Sequence, residues 1–207
     1  MATNLLYIRR LVRDRLGHPM HDDYFTDPLI DSNINLAILA VEEEHRWPWN
    51  EIKGELFLVS GETAVPVPED WRATKAITFG IDTLEQSTIY DLDRIQSVFQ
   101  AGRSNYFAVY GAEIRFAPFG GLDQTFNHYY YREPKLLTLD EDTIRMPSQH
   151  VGTVVAKASQ LCSIREDDRA SAETHMVEYM TGLERMRKDI RATTRPQQKR
   201  IRPGNWV

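Results

Sequence analysis

The sequence predicts an α+β fold: a helical bundle of about four helices, an inserted small antiparallel β-domain and an extended C-terminal arm. Three observations predict it. Apolar residues recur at helical spacing near both ends of the chain. Between Trp47 and about Arg132 they come in short runs with turn residues between them. Beyond residue 192 the spacing stops, and bases and prolines take over. The expected boundaries are 1–46 and 147–192 for the bundle, 47–146 for the β-rich insertion and 193–207 for the arm.

Thr3 can cap a first helix over about 4–16. Its stripe is Leu5, Ile8, Leu11 or Val12, and Arg15 or Leu16, and Gly17 ends it. Thr26-Asp27-Pro28 is a helix start: a capping hydroxyl, an acid in the first turn, and a proline whose missing N–H costs nothing there. That helix runs to about His45, with Ile30, Ile34, Ala37, Ile38 and Val41 on one face. Strands are expected over 56–59, 63–67, 75–79, 106–110, 113–117 and 125–131. Gly111 marks a tight hairpin, residues 90–100 allow a short helix, and the set implies a small sandwich or barrel. Two amphipathic helices follow residue 146. The first places Val151, Val154, Val155, Ala158, Leu161 and Cys162 on one face; the second does so with Ala172, Met176, Tyr179, Met180, Leu183 and Ile190.

An apolar share of 42% and a charged share of 27% are those of a soluble globular protein. No window is long and apolar enough for a transmembrane helix, so no membrane partner is expected. The N-terminal apolar run breaks into charge too early for a signal peptide. The single cysteine, Cys162, lies on an apolar stripe and reads as a buried thiol made in a reducing compartment, the cytoplasm. Net charge is −5 but divided: residues 185–203 hold eight bases and one acid, which leaves −12 on the remainder. The body would repel nucleic acid; the end would seek an acidic surface.

The arm carries Arg195, Lys199, Arg200 and Arg202 without an acid, together with Ile201 and Trp206. A solvated tail gains nothing from the last two. The arm can be read as a nucleic-acid arm gaining affinity by counterion release. It can equally be read as a docking arm for a partner protein. The bland reading is a basic helix end, since cations favour a helix C-terminus.

Signals for chemistry are weak. Glu42-x-x-His45 has the spacing of a bundle di-metal site, but that site needs a second such pair, and His175-x-x-Glu178 is reversed in order. His18, His21, Asp22 and Asp23 are metal-capable loop residues without a cysteine partner. His128 and His150 are isolated, and the glycines sit in turn contexts rather than in a phosphate loop. An enzyme would have to unite groups such as His18, Asp22 and Glu42 in one pocket. Neither a cofactor, a metal nor a catalytic residue is expected.

The order of motifs resembles the head-to-tail adaptor (connector) proteins of tailed bacteriophages, in particular the tail-tubular-A-like family. Arg46-Trp-Pro-Trp-Asn50 is similar to the family's aromatic exit from the second helix, and Val67-Pro-Glu-Asp-Trp71 to its step between early strands. Tyr106-Phe-Ala-Val-Tyr-Gly-Ala-Glu-Ile-Arg-Phe-Ala-Pro118 resembles its proline-terminated hairpin. Tyr129-Tyr-Tyr-Arg-Glu-Pro-Lys-Leu-Leu-Thr138 resembles the last strand and its exit, and Asp140-Glu-Asp-Thr-Ile-Arg-Met-Pro147 the acidic loop before the third helix. The family's tyrosine or tryptophan early in that helix is His150 here.

The resemblance implies a virion protein without enzymatic activity, synthesised in the host cytoplasm and placed at the head–tail interface. It implies a homo-oligomeric ring of twelve under the portal protein, a channel for genomic DNA without sequence-specific binding, and a platform for a tail or nozzle protein. The arm residues Arg195, Lys199, Arg200, Ile201, Arg202 and Trp206 are then expected to dock on the portal. Val151, Val155, Met176, Tyr179 and Leu183 are expected at the ring interface. The alternative is a nucleic-acid-binding module using the basic tail.

Overall fold

The structure is a computed structural model that describes residues 3–17, 24–98, 102–118 and 121–194. It divides into two compact units, Met1–Pro48 with Lys135–Val207, and Trp49–Pro134.

The first unit is helical: α1 (Leu5–Leu16), α2 (Asp27–Glu43), α4 (Val151–Arg165) and α5 (Arg169–Thr194). Asn4, not Thr3, caps α1; its side-chain oxygen accepts the Tyr7 N–H at 3.0 Å. Gly17 closes α1 in the left-handed conformation, at φ 70°, where a side chain would be strained. Thr26 occupies the cap position of α2 without a side-chain cap bond, and Pro28 sits in the first turn. α2 stops at Glu43 rather than His45. The chain then folds the buried Trp47 back so that its indole N–H donates to the Val41 carbonyl at 2.7 Å, satisfying a C-terminal acceptor of the helix.

The second unit holds β1 (Glu51–Leu58), β2 (Ala64–Pro66), β3 (Trp71–Phe79), β4 (Asp82–Thr83), β5 (Glu85–Gln86), α3 (Ile89–Val98), β6 (Tyr106–Tyr110), β7 (Glu113–Ala117) and β8 (Gln124–Arg132). One sheet has the order β1-β8-β3-β4 and the other β2-β7-β6-β5. Both contribute to a single core of Leu56, Leu58, Ile77, Leu84, Phe107, Ile114, Phe116 and Phe126, so the unit is a sandwich. Phe116 stacks on Phe126 at 4.5 Å in that core. Period-two burial along β8 places Phe126, His128 and Tyr130 inward. On the second sheet, α3 packs through Leu92 against Ala108 and Ala117.

The short helix allowed over 90–100 forms as α3, so the described residues hold five α-helices, four in the helical unit and one in the β unit. Other expectations need correction. The sheets are not wholly antiparallel: β5 pairs with β6 in parallel. β4 and β5 are two residues each, too short to show a period in sequence. The segment from Lys135 to Met146 belongs with the helices, not with the insertion. It supplies acceptors that the first turn of α1 lacks: Leu5 N–H donates to the Asp142 carbonyl at 2.9 Å and Leu6 N–H to that of Asp140 at 3.2 Å. α5 continues to Thr194, into the stretch expected as arm; residues 195–207, and the loop with His18, His21, Asp22 and Asp23, lie outside the described residues.

Candidate docking surface

α1 and α2 are tied by two buried arginines. Arg9 donates to both carboxylate oxygens of Asp31, at 2.8 and 2.7 Å, and to Asp140 at 2.9 Å. The hydrogen bond to Asp31 raises the Arg9 pKa above its usual value, against the opposing pull of burial. Arg13 donates to the Phe25 carbonyl and to Asp27, each at 2.7 Å. The side chain of Asn35 on α2 exchanges two 2.9 Å bonds with the backbone of Leu137. Asp142 then closes the adjoining turn. It accepts from Lys135 at 2.7 Å and from the N–H groups of Thr138 and Leu139 at 2.9 Å, which holds its carboxyl well below the usual range. Segment 135–142 is thereby pinned along α1 and α2, with Leu136 (46% exposed) and Leu139 (57%) facing solvent, as do Tyr7 and Leu36 (51%).

α4 is buried on most of its circumference. Cys162 meets α2, where Asn33 donates to its sulfur at 3.2 Å. Burial, partly offset by that bond, raises the thiol pKa. Thr153 meets α5 so closely that a Cβ added to Gly182 would lie 2.4 Å from its hydroxyl oxygen. Thr153 and Cys162 are nine residues apart, about 180° around a helix at 3.6 residues per turn. α2 and α5 therefore flank α4 on opposite sides. The Lys157 ammonium lies 5.1 Å over the Tyr179 ring, and burial raises the pKa of that phenol.

Of the five residues expected at a ring interface, Val151, Val155, Tyr179 and Leu183 are buried within their own helical unit. Their burial is part of the packing within the helical unit. Only Met176 (36% exposed) reaches the surface, beside Val177 (66%) and Met180 (49%). The helical period marks Met180 as apolar-faced, but the stripe is wider than α4 can cover. Val177 lies off that stripe, and its signal was an apolar residue on the polar side of an amphipathic helix. The six expected arm residues lie outside the described residues.

The weighed metal candidates do not converge. Glu42 is buried, whereas His45 is exposed and sets its ring edge-on to Trp47 at 5.0 Å. His175 lies 3.7 Å from Glu178, and that carboxylate also takes Arg15. His150 is buried near Asp189, at 3.9 Å, and burial lowers its pKa. His128 sits in the β unit, 3.0 Å from the Thr74 hydroxyl, with its pKa lowered to about 4 by burial. Among the described residues no three His, Cys, Asp or Glu side chains are grouped to hold a metal. No helix among them is long and apolar enough to cross a membrane.

Apolar faces on a helical platform, braced by buried arginine–carboxylate contacts, are the equipment of a structural docking protein. The chain belongs to the SU10 adaptor protein family, whose model matches residues 3–202. It is accordingly a phage adaptor, from a structural and not an enzyme family, and its role is binding to other virion proteins. A comparison with curated proteins finds no match.

Proposed function

We propose that the chain is a head-to-tail adaptor of the tail-tubular-A-like type, forming a ring of twelve beneath the portal protein. In that place it extends the channel for genomic DNA and offers the platform on which the tail or nozzle protein is mounted. The observation that carries this reading, beyond family membership, is the division of charge. Residues 185–203 hold eight bases and one acid, and the rest of the chain carries −12. Carboxylates along a channel repel phosphate and let DNA pass without sticking. A basic arm with apolar anchors suits docking on a neighbouring protein. Arm residues Arg195, Lys199, Arg200, Ile201, Arg202 and Trp206 make the portal contact. The α4–α5 pair forms ring wall, with Met176 at its surface and Val151, Val155, Tyr179 and Leu183 bracing it from within.

The test is a chain lacking residues 193–207, mixed with purified portal rings beside the full-length chain. Both should show the same far-ultraviolet circular dichroism per residue in the bundle, and only the full-length chain should sediment with the portal. Arg200→Ala, Ile201→Ala and Trp206→Ala should each weaken docking. A truncated chain that docks as well as the full-length one refutes the arm. Images of the docked particle count the subunits directly.

A further inference from the structure

We propose that two different faces of the helical unit bind each other between copies of the chain. One is the outer face of α5, bearing Met176, Val177 and Met180. The other is the face of α2 and segment 135–142, bearing Leu36, Leu136 and Leu139. The proposal rests on the ring reading and deepens it by assigning the surfaces.

The first argument is placement. The half-turn between Thr153 and Cys162 on α4 puts α5 and α2 on opposite sides of one rigid layer. A ring closed by rotation requires two unlike patches, one on each side of every subunit. A contact made by one patch with itself ends at a dimer. Apolar side chains exposed on only one side of α4 would fit the second arrangement; here they are exposed on both.

The second argument is charge. The outer face of α5 continues beyond Met180 through Glu184 into Lys188 and Arg191, all exposed, so bases outnumber the acid there, and the last turn of a helix favours bases. Beside Leu139 stand Asp140 and Glu141, both exposed. A copy that lays its α5 along the 135–142 segment of the next therefore brings bases towards acids around an apolar centre. That is the usual anatomy of an interface, apolar within and polar at the rim. Methionines suit the α5 side because unbranched side chains adapt to a surface met only on assembly. The acceptor side is stiff by contrast: Asn35, Asp142 and Arg9 hold its backbone and rim in place.

The test is disulfide capture with the full-length chain. Val177→Cys and Leu139→Cys are made singly and together, with Met180→Cys and Leu36→Cys as a second set. Cys162 is buried and stays unreactive. Circular dichroism checks that each variant keeps the fold, since all four positions are exposed. Under mild oxidation, at least one double variant should give a ladder of dimers, trimers and higher forms. An equal mixture of the two single variants of that set should stop at the dimer. Met180→Asp, added to the first double variant, should reduce the ladder by about tenfold. A single variant that dimerises alone as readily as the mixture overturns the two-face assignment. So does failure of both double variants when the unsubstituted chain sediments as an oligomer, and the ring reading then stands. If the unsubstituted chain also stays monomeric with portal rings present, both fall.

Discussion

Replacing Gly182 by alanine gives a prediction whose sign can be worked out. Gly182 lies inside α5, where alanine is favoured over glycine by about 1 kcal/mol. On propensity alone the change would stabilise the protein. The crossing with α4 opposes it. The added Cβ would lie 2.4 Å from Thr153 Oγ1, 3.0 Å from its Cγ2 and 3.1 Å from its Cβ. Turning χ1 can swing the hydroxyl and the methyl aside, but it leaves the Thr153 Cβ in place, 3.1 Å from the added carbon. Thr153 is also buried and held in a helix, where β-branched residues have few rotamers. Relief has to come from moving α5 away from α4, and overpacking of this kind costs about 1–3 kcal/mol. We expect Gly182→Ala to lower stability by about 1 kcal/mol net, or roughly 2–4 °C in Tm. In a Thr153→Ala background the two shortest contacts are gone, and the same change should raise stability by about 0.5–1 kcal/mol. Thermal and urea unfolding followed at 222 nm measure all four corners of this cycle. A Gly182→Ala chain more stable than its parent would refute the close approach. Equal effects in both backgrounds would refute Thr153 as its cause.

Arg9→Met should cost about 2 kcal/mol in urea unfolding. That is less than for a fully buried pair, because Asp27 and Asp140 remain 53% and 57% exposed and can be hydrated. Arg9→Lys should recover only part of the loss, since an ammonium cannot reproduce the two-point contact with Asp31. His128 predicts acid sensitivity in the β unit. Its folded-state pKa is lowered to about 4 by burial, and its Nδ1 has no hydrogen-bond partner among the described residues. Between the ordinary histidine value and about 4 the unfolded chain binds the extra proton, so stability falls as pH drops through that window and levels off below it. The total is about 3 kcal/mol. His128→Phe keeps a ring for Tyr130 to stack on and should flatten the pH profile of β-unit unfolding; an unchanged profile would refute the assignment.

The charged brace of the helical unit shows why sequence reading stops where it does. Arg9 and Arg13 fall on the apolar side of α1, yet a one-dimensional pattern has no place for a buried base. Their partners Asp27, Asp31 and Asp140 are 14 to 131 residues away. Asp140 in turn belongs to a segment without periodicity, which neighbouring strands made look like part of the β region. Its allegiance rests on backbone bonds to Leu5 and Leu6 and on the side chain of Asn35. β1 is likewise longer than its apolar run, because Glu51 to Gly54 pair fully with Tyr131 to His128. The partner strand, not local propensity, makes those residues extended.

Chain order and periodicity were sufficient for the helix pairs, the long strands, the Gly111 hairpin and the opposition of a basic end to an acidic body. Each follows from neighbours in the chain: which residues share a helix face, which glycine allows a positive φ, which charges cluster. Which apolar face stays uncovered was decided only by tertiary structure. Val151, Val155, Tyr179 and Leu183 look as available in sequence as Met176, yet packing inside the helical unit buries those four and leaves Met176, Val177 and Met180 outside. The physical reason is that a helix wheel states how much surface is apolar, while a single neighbour of finite width determines how much of it is removed from water.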